Sequence, residues 1–213
     1  GFVIASDECY SEIYFSGEPP LGSLEAATKL GRDFERLVAF TSLSKRSNVP
    51  GMRSGFVAGD AAILKQFLLY RTYHGSAMGP VVQQASIAAW SDEAHVVANR
   101  DKYRAKFAQV TPLLASVLPV ALPDAGFYLW ADVSQLLPRI GDVSGNARQE
   151  GDDVAFALAL LAQYNVAVLP GSLLAREAHG VNPGAGRIRL ALVAELDECL
   201  EAAQRIVAFI RSH

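Results

Sequence analysis

The run Ser42-Leu43-Ser44-Lys45-Arg46-Ser47-Asn48-Val49-Pro50-Gly51-Met52-Arg53 lies between two short apolar segments, Leu37-Val38-Ala39-Phe40-Thr41 and Ser54 to Ala58. Both segments have strand length and end in polar or glycine-containing turns, so the run joins two predicted strands. Two hydroxyls and a lysine stand on one side of a Pro50-Gly51 turn, and Arg53 stands on the other. Hydroxyls and the fork of a guanidinium suit a phosphate dianion. The stretch is therefore either a phosphate cradle or an exposed basic loop. It is not a Walker loop, because no G-x-x-x-x-G-K leads into a helix.

Upstream, Phe2-Val3-Ile4-Ala5 reads as a buried strand that empties into Ser6-Asp7-Glu8, with Tyr10 just beyond. A carboxylate at a strand's C-terminal end stands where open α/β sheets meet their ligands; a solvated turn aspartate is the alternative. Gly17, Pro19, Pro20 and Gly22 then interrupt the chain before a predicted helix over 24–30. Strands separated by helices indicate an α/β sheet, mainly parallel.

Downstream of Ala61 the apolar period becomes helical. Ile63, Leu64, Phe67 and Leu68 mark one face, and Pro80 opens a further helix that continues over 81–89. Asp92 to Val117 is a long amphipathic stretch that would connect two lobes. Val96, Val97, Tyr103, Phe107, Val110 and Leu114 are its predicted inward positions, and Arg100, Lys102, Arg104 and Lys106 its solvated face. After Pro119 the pattern is α+β: strands over 127–131, 166–169 and 188–193, a loop over 141–151, and helices over 154–164 and 196–210. In the late strand Arg187 and Arg189 alternate with apolar residues. Arginine is rarely buried without a partner, so one of them should face a carboxylate, either the protein's own or a substrate's. Trp90 and Trp130 are expected to fill core, and His95 and His179 to be surface or packing histidines.

Composition narrows the function class. The chain has 213 residues, 51% of them hydrophobic and 19% charged, which is a folded chain with a substantial core. A formal net charge of -3 argues against a nucleic-acid binder or a membrane-surface protein. Cys9 and Cys199 are far apart and belong to no zinc or disulfide pattern, so no metal is expected and a cytoplasmic setting is. Val154 to Ala162, the longest strictly apolar run, is too short to span a bilayer. The chain opens on Gly1-Phe2-Val3-Ile4 without an initiator methionine, as though inside a strand.

Taken in order, strand-Asp7-x-x-Tyr10, Ser42-x-Ser44-Lys45-x7-Arg53 and a late strand carrying Arg189 resemble the second half of a class I/II pyridoxal-phosphate aminotransferase of fold type I. The run from Ser42 to Asp60, the segment Tyr70-Arg71-Thr72-Tyr73-His74-Gly75-Ser76-Ala77-Met78 and the segment Asp124-Ala125-Gly126-Phe127-Tyr128-Leu129-Trp130 further resemble bacterial N-succinyl-diaminopimelate aminotransferases. The resemblance implies an α/β fold: residues 1–95 as the later part of a large, mostly parallel-sheet cofactor domain, and residues 96–213 as an α+β small domain. It implies pyridoxal 5'-phosphate as cofactor, held by Lys45 as a Schiff base. Lys45 would also move the substrate proton, since a partly desolvated amine near other cations can fall toward neutral pKa.

By the same resemblance, Asp7 would pair with the pyridine nitrogen and Tyr10 with the ring's phenolic oxygen. Ser42, Ser44 and Arg53 would hold the phosphate. Arg189 would grip the substrate α-carboxylate, with Arg187 as its rival. Arg71 and His74 are candidates for a distal carboxylate, with a structural role as the alternative for each. Implied substrates are amino acids and 2-oxo acids, glutamate and 2-oxoglutarate among them, and the full-length protein would be a homodimer. The family's earlier half has no counterpart in this chain, which implies that these 213 residues alone bind the cofactor poorly and do not transaminate. Two alternatives carry the same motifs. One is a further fold-type-I enzyme, such as another aminotransferase or a carbon–sulfur lyase. The other is the aminotransferase-like sensor domain of a transcription regulator.

Overall fold

In the computed structural model, which describes residues 1–75, 77–138 and 152–213, the first apolar segments form a three-stranded sheet. Its strands are β1 (Ile4–Asp7), β2 (Leu37–Ser42) and β3 (Gly55–Gly59), in the order β1-β2-β3. β1 runs parallel to β2, with Asp7 opposite Phe40. β3 runs antiparallel, with Gly55 opposite Ser42. Of the sheet expected to be mainly parallel, the described strands thus show one parallel and one antiparallel pair. The antiparallel pair needs glycine where β3 ends beside the start of β2: Gly59 sits at φ 138, and a Cβ there would stand 2.0 Å from the Leu37 carbonyl oxygen.

The chain divides into two compact units, Gly1–Lys102 with Asp124–Gly126, and Tyr103–Pro123 with Phe127–His213. The first holds the sheet, α1 (Ser23–Lys29), α2 (Leu43–Arg46), α3 (Ala61–Tyr73), α4 (Pro80–Trp90) and the start of α5 (Ala94–Ala115). Its core includes Ile13, Leu37, Val38, Ala39 and Leu43. Asp60 caps α3 by accepting from the N–H groups of Ala62 at 2.7 Å and Ile63 at 3.0 Å. The predicted loop over 141–151 lies outside the described residues.

The second unit holds an antiparallel sheet in the order β4-β6-β5, made of β4 (Tyr128–Asp132), β5 (Leu169–Pro170) and β6 (Arg187–Ala191). α6 (Asp153–Tyr164) and α7 (Leu196–Arg211) complete it with the rest of α5. α7 buries Cys199, Ala203, Ile206 and Phe209, one stripe at helical spacing, against the rest of this unit. Asp153, fully buried at the start of α6, accepts from the Ser172 N–H at 2.7 Å and its hydroxyl at 2.6 Å. No described helix is long and apolar enough to cross a membrane.

Several expectations need correcting. The first strand begins two residues late, and Phe2 is 79% exposed, because β1 pairs only with β2 among the described residues. Val97, expected inward on α5, is 48% exposed. Arg100 and Lys106, expected on the solvated face, are largely covered. The Arg100 guanidinium lies 4.0 Å from the Tyr14 ring centroid and pairs with Glu12 at 2.9 Å, while the Lys106 amine reaches the Val193 carbonyl at 3.4 Å. Long stems let these cations lie along apolar surface while their charge finds a partner. Trp130 does not fill core; it is 40% exposed, opposite Arg189 on β6.

Phe209 is fully buried and meets Phe156 and Tyr164 edge-on, at 5.4 and 5.6 Å between ring centroids. Phe209→Ala should destabilise the second unit by about 3–5 kcal/mol. Urea unfolding followed by far-UV circular dichroism measures it; a loss below about 1 kcal/mol would mean the site collapses around the missing ring.

Candidate active site

β1 ends in Asp7, whose carboxylate accepts from the Cys9 N–H at 3.1 Å. The Cys9 thiol also donates to it, and this bond with the N–H contact holds the exposed Asp7 carboxyl below its usual range. Burial first, then the bond to Asp7 and its charge, push the Cys9 thiol up to about 11, against the opposing pull of the Lys45 cation. The Lys45 amine lies 5.9 Å from the centroid of the Tyr10 ring, at the outer limit of a cation–π contact. Asp7, Cys9, Tyr10 and Lys45 thus share one neighbourhood. Glu8 turns away from it and accepts from the Ser23 N–H at 2.7 Å and hydroxyl at 2.6 Å, where α1 begins.

The ends of the Ser42–Arg53 run are tied together. The Ser42 hydroxyl accepts from the Ser44 N–H at 3.0 Å, donates to the Ser54 carbonyl at 2.9 Å and lies 2.9 Å from the Ser44 hydroxyl. The hydroxyls expected at a phosphate are, in this arrangement, engaged with each other and with the backbone. Arg53 is exposed, adopts the left-handed φ of 52, and donates from Nη1 to the Pro50 carbonyl at 2.9 Å. Only one of its five N–H groups is used in that bond.

Beneath Lys45 lies a set of contacts that sequence reasoning missed. Arg46 is buried, donates to the Ala89 carbonyl at 2.8 Å, pairs with Glu93 and lies 4.8 Å from the Trp90 ring centroid. The Ser47 hydroxyl is 2.8 Å from His95 Nε2, and Asn99 Nδ2 donates to the Lys45 carbonyl at 3.4 Å. A signal was present: Asp92, His95 and Asn99 fall three and four apart, a polar stripe on one face of a helix.

Arg71 lies on the exposed side of α3, beside an open groove of about 680 Å³ lined by Val57, Leu64, Phe67 and Leu68. His74 packs on Tyr70, 4.9 Å between ring centroids.

In the second unit the two arginines of β6 differ. Arg187 faces Asp132 across the β4–β6 pair and contacts its carboxylate at 3.5 Å. Arg189 places its guanidinium 4.3 Å from the Tyr128 ring centroid, and its buried Nε has no hydrogen-bond partner among the described residues. A buried donor left unpaired costs roughly 1–3 kcal/mol. The protein's own carboxylate therefore goes to Arg187, and Arg189 keeps an unused donor.

The depressed Asp7 carboxyl contributes stability that is present above the ordinary carboxylate range and is lost as pH falls through its folded midpoint. Carboxyl carbon NMR should place that midpoint below the ordinary range, and Cys9→Ala should raise it. In the reverse direction, Asp7→Asn should lower the thiol midpoint of Cys9 from about 11, read as faster alkylation at pH 8–9.

Residues 1–206 match the family profile described as aminotransferase class I and II. A crystal structure of an aminotransferase from Neisseria meningitidis is 56% identical, superposes with a TM-score of 0.86, and is matched over 99% of this chain and 50% of that one. A probable aminotransferase of Mycobacterium tuberculosis is 34% identical over 95% of this chain and 43% of its own length. An LL-diaminopimelate aminotransferase of Dehalococcoides mccartyi is 30% identical over 93% and 45%. The chain spans about half the length of the relatives it matches.

Proposed function

The chain belongs to the class I and II aminotransferase family, with the fold-type-I architecture of pyridoxal-phosphate enzymes, and on that premise we propose that it carries catalytic and binding residues for transamination between an amino acid and a 2-oxo acid. The observation that carries the proposal is Arg189. Its buried, unpaired Nε and its stacking on Tyr128 suit a planar carboxylate such as every α-amino acid bears. Arg187, already paired with Asp132, is the structural member of the pair.

The residues of the first unit fit pyridoxal 5'-phosphate by their chemistry. Asp7 is held ionised by its bonds from Cys9, as a partner for a pyridinium must be. Lys45 offers the amine that an aldehyde requires, and Tyr10 beside it offers a phenol. Arg53 has exposed guanidinium donors for a phosphate, and Ser42 and Ser44 would join it by turning their hydroxyls outward from their present bonds. When bound, the cofactor supplies an electron sink for the pair released at the substrate Cα. Lys45 takes the proton from Cα and returns it, acting as base and then as acid. Asp7 would keep the ring nitrogen protonated and Tyr10 would steady the phenolic oxygen, while in the second unit Arg189 would hold the α-carboxylate.

For the substrate, we propose N-succinyl-diaminopimelate, with 2-oxoglutarate as amino acceptor, in diaminopimelate and lysine synthesis. The support is the diaminopimelate relative together with Arg71, a cation beside an open groove that would take the distal carboxylate. The division into a cofactor domain over 1–95 and a small domain over 96–213, a homodimeric full-length assembly and a cytoplasmic setting are parts of the same proposal.

Borohydride reduction in the presence of pyridoxal phosphate, followed by peptide mass spectrometry, should mark Lys45 ahead of Lys29 and Lys65, and Lys45→Ala should abolish that mark. Labelling spread evenly over the lysines would sink the assignment. In a full-length protein carrying this sequence, Arg189→Met should lower kcat/KM by at least about 30-fold, the cost of removing one partner of a buried charge pair. Turnover of aspartate above N-succinyl-diaminopimelate would refute the finer substrate proposal while leaving transamination standing.

A further inference from the structure

Lys45 is carried by a helix of four residues, α2. A single helical turn has almost no stability of its own, so its orientation depends on what its neighbours attach to it. Three consecutive residues are attached, each to the end of α4 or the start of α5. Asn99 donates to the Lys45 carbonyl, Arg46 is paired with Glu93 and the Ala89 carbonyl, and Ser47 meets His95. The Arg46 contacts anchor the buried side of α2. The Ser47 contact fixes its last turn, where the Ser47 N–H also closes the helix on the Leu43 carbonyl at 3.0 Å.

The imidazole is itself held from behind. His95 Nδ1 lies 2.5 Å from the Asp92 carboxylate, which also accepts from the N–H groups of Ala94 and His95 at 3.2 Å. In the neutral imidazole this arrangement selects one tautomer: Nδ1 donates to Asp92, Nε2 accepts, and the Ser47 hydroxyl donates to it. The order hydroxyl, imidazole, carboxylate is also that of a hydrolytic triad. Here the serine's own N–H, which such a triad uses to stabilise an oxyanion, is committed to Leu43. The cluster is a tether and not a nucleophile.

We propose that His95, oriented by Asp92 and acting through Ser47, is a positioning residue for Lys45. It locks the last turn of α2 and thereby the direction of the lysine side chain. The value of that lock for catalysis rests on Lys45 being the cofactor lysine. The lock itself is testable without cofactor.

In the cofactor-free chain, hydrogen exchange of residues 43–47 should quicken about fivefold to tenfold in His95→Ala, the worth of one net hydrogen bond. Residues 37–42 and 196–211 should be unchanged. Ser47→Ala should give the same increase, the double variant no more than either alone, and His95→Gln, which retains an acceptor near the Nε2 position, should restore part of the protection. Acylation of Lys45 by an N-hydroxysuccinimide ester, relative to Lys65 in the same sample, should rise several-fold in His95→Ala. Unchanged exchange at 43–47, additive effects of the two alanines, or faster exchange without a change in Lys45 acylation would each overturn the proposal. Exchange that rises across the whole chain would show a general packing role and overturn it too. Failure of pyridoxal phosphate to mark Lys45 in the wild type would count against the cofactor role alone.

Discussion

A guanidinium cannot be buried without partners, and Arg46 is buried directly after Lys45. Its partners are few and specific: a carbonyl at the end of α4, the Glu93 carboxylate and the face of Trp90. Trp90 in turn lies 5.0 Å from Phe56 of β3, measured between ring centroids. One charge therefore ties the lysine-bearing turn, the end of α4 and a strand of the first sheet together. The pair is asymmetric, because Glu93 remains largely exposed while Arg46 is not. Removing the carboxylate would leave the carbonyl and ring contacts in place, whereas removing the arginine would lose all three and open a cavity.

The loop that carries Lys45 is closed at its base as well as anchored beneath. The Leu43 N–H bonds the Ser54 carbonyl at 3.0 Å, the Ser42 hydroxyl bonds the same oxygen, and the Ser54 hydroxyl is 2.7 Å from that of Ser86, both buried. Both ends of a twelve-residue excursion, residues 43–54, therefore meet at one point on the sheet. The entropy of ordering such a loop is spent in the fold, before any ligand arrives. Preorganisation of this kind would serve the role proposed for Lys45, in which a flexible side chain must act from a fixed backbone position.

Much of this was legible in the sequence, but unevenly. Strand-length apolar runs gave β1 to β3 to within two residues, and Asp7, Tyr10 and Lys45 do share a neighbourhood. Helical spacing predicted α3 to α7 closely. The strand expected over 166–169 shrinks to β5, which shares only Leu169 with it, and the rest of what failed were mostly statements about exposure. An apolar tetrapeptide such as Phe2-Val3-Ile4-Ala5 has the pattern of a buried strand whether or not anything covers it. A charged run such as Arg100 to Lys106 has the pattern of a solvated face whether or not Glu12 or Val193 lies opposite. Both depend on contacts distant in sequence, which periodicity does not encode. The Arg46 and Ser47 anchors were missed for the same reason: their partners lie more than forty residues away.

The two arginines of β6 differ in what the fold offers them. Alternation places both on one face of the strand, so spacing alone leaves them equivalent. Their neighbours do not. Asp132 stands opposite Arg187 and is held below the usual carboxylate range, first by its hydrogen bond from Ser134 and also by the Arg187 charge. Trp130 stands opposite Arg189, and Tyr128 receives its guanidinium face, while its buried Nε has no acceptor among the described residues. Arg46, Arg100 and Arg187 each meet a carboxylate in the protein. A fold that satisfies those three cations leaves the buried Nε of Arg189 unmet among the described residues, at a cost of roughly 1–3 kcal/mol, and that is the donor the proposed substrate carboxylate would take.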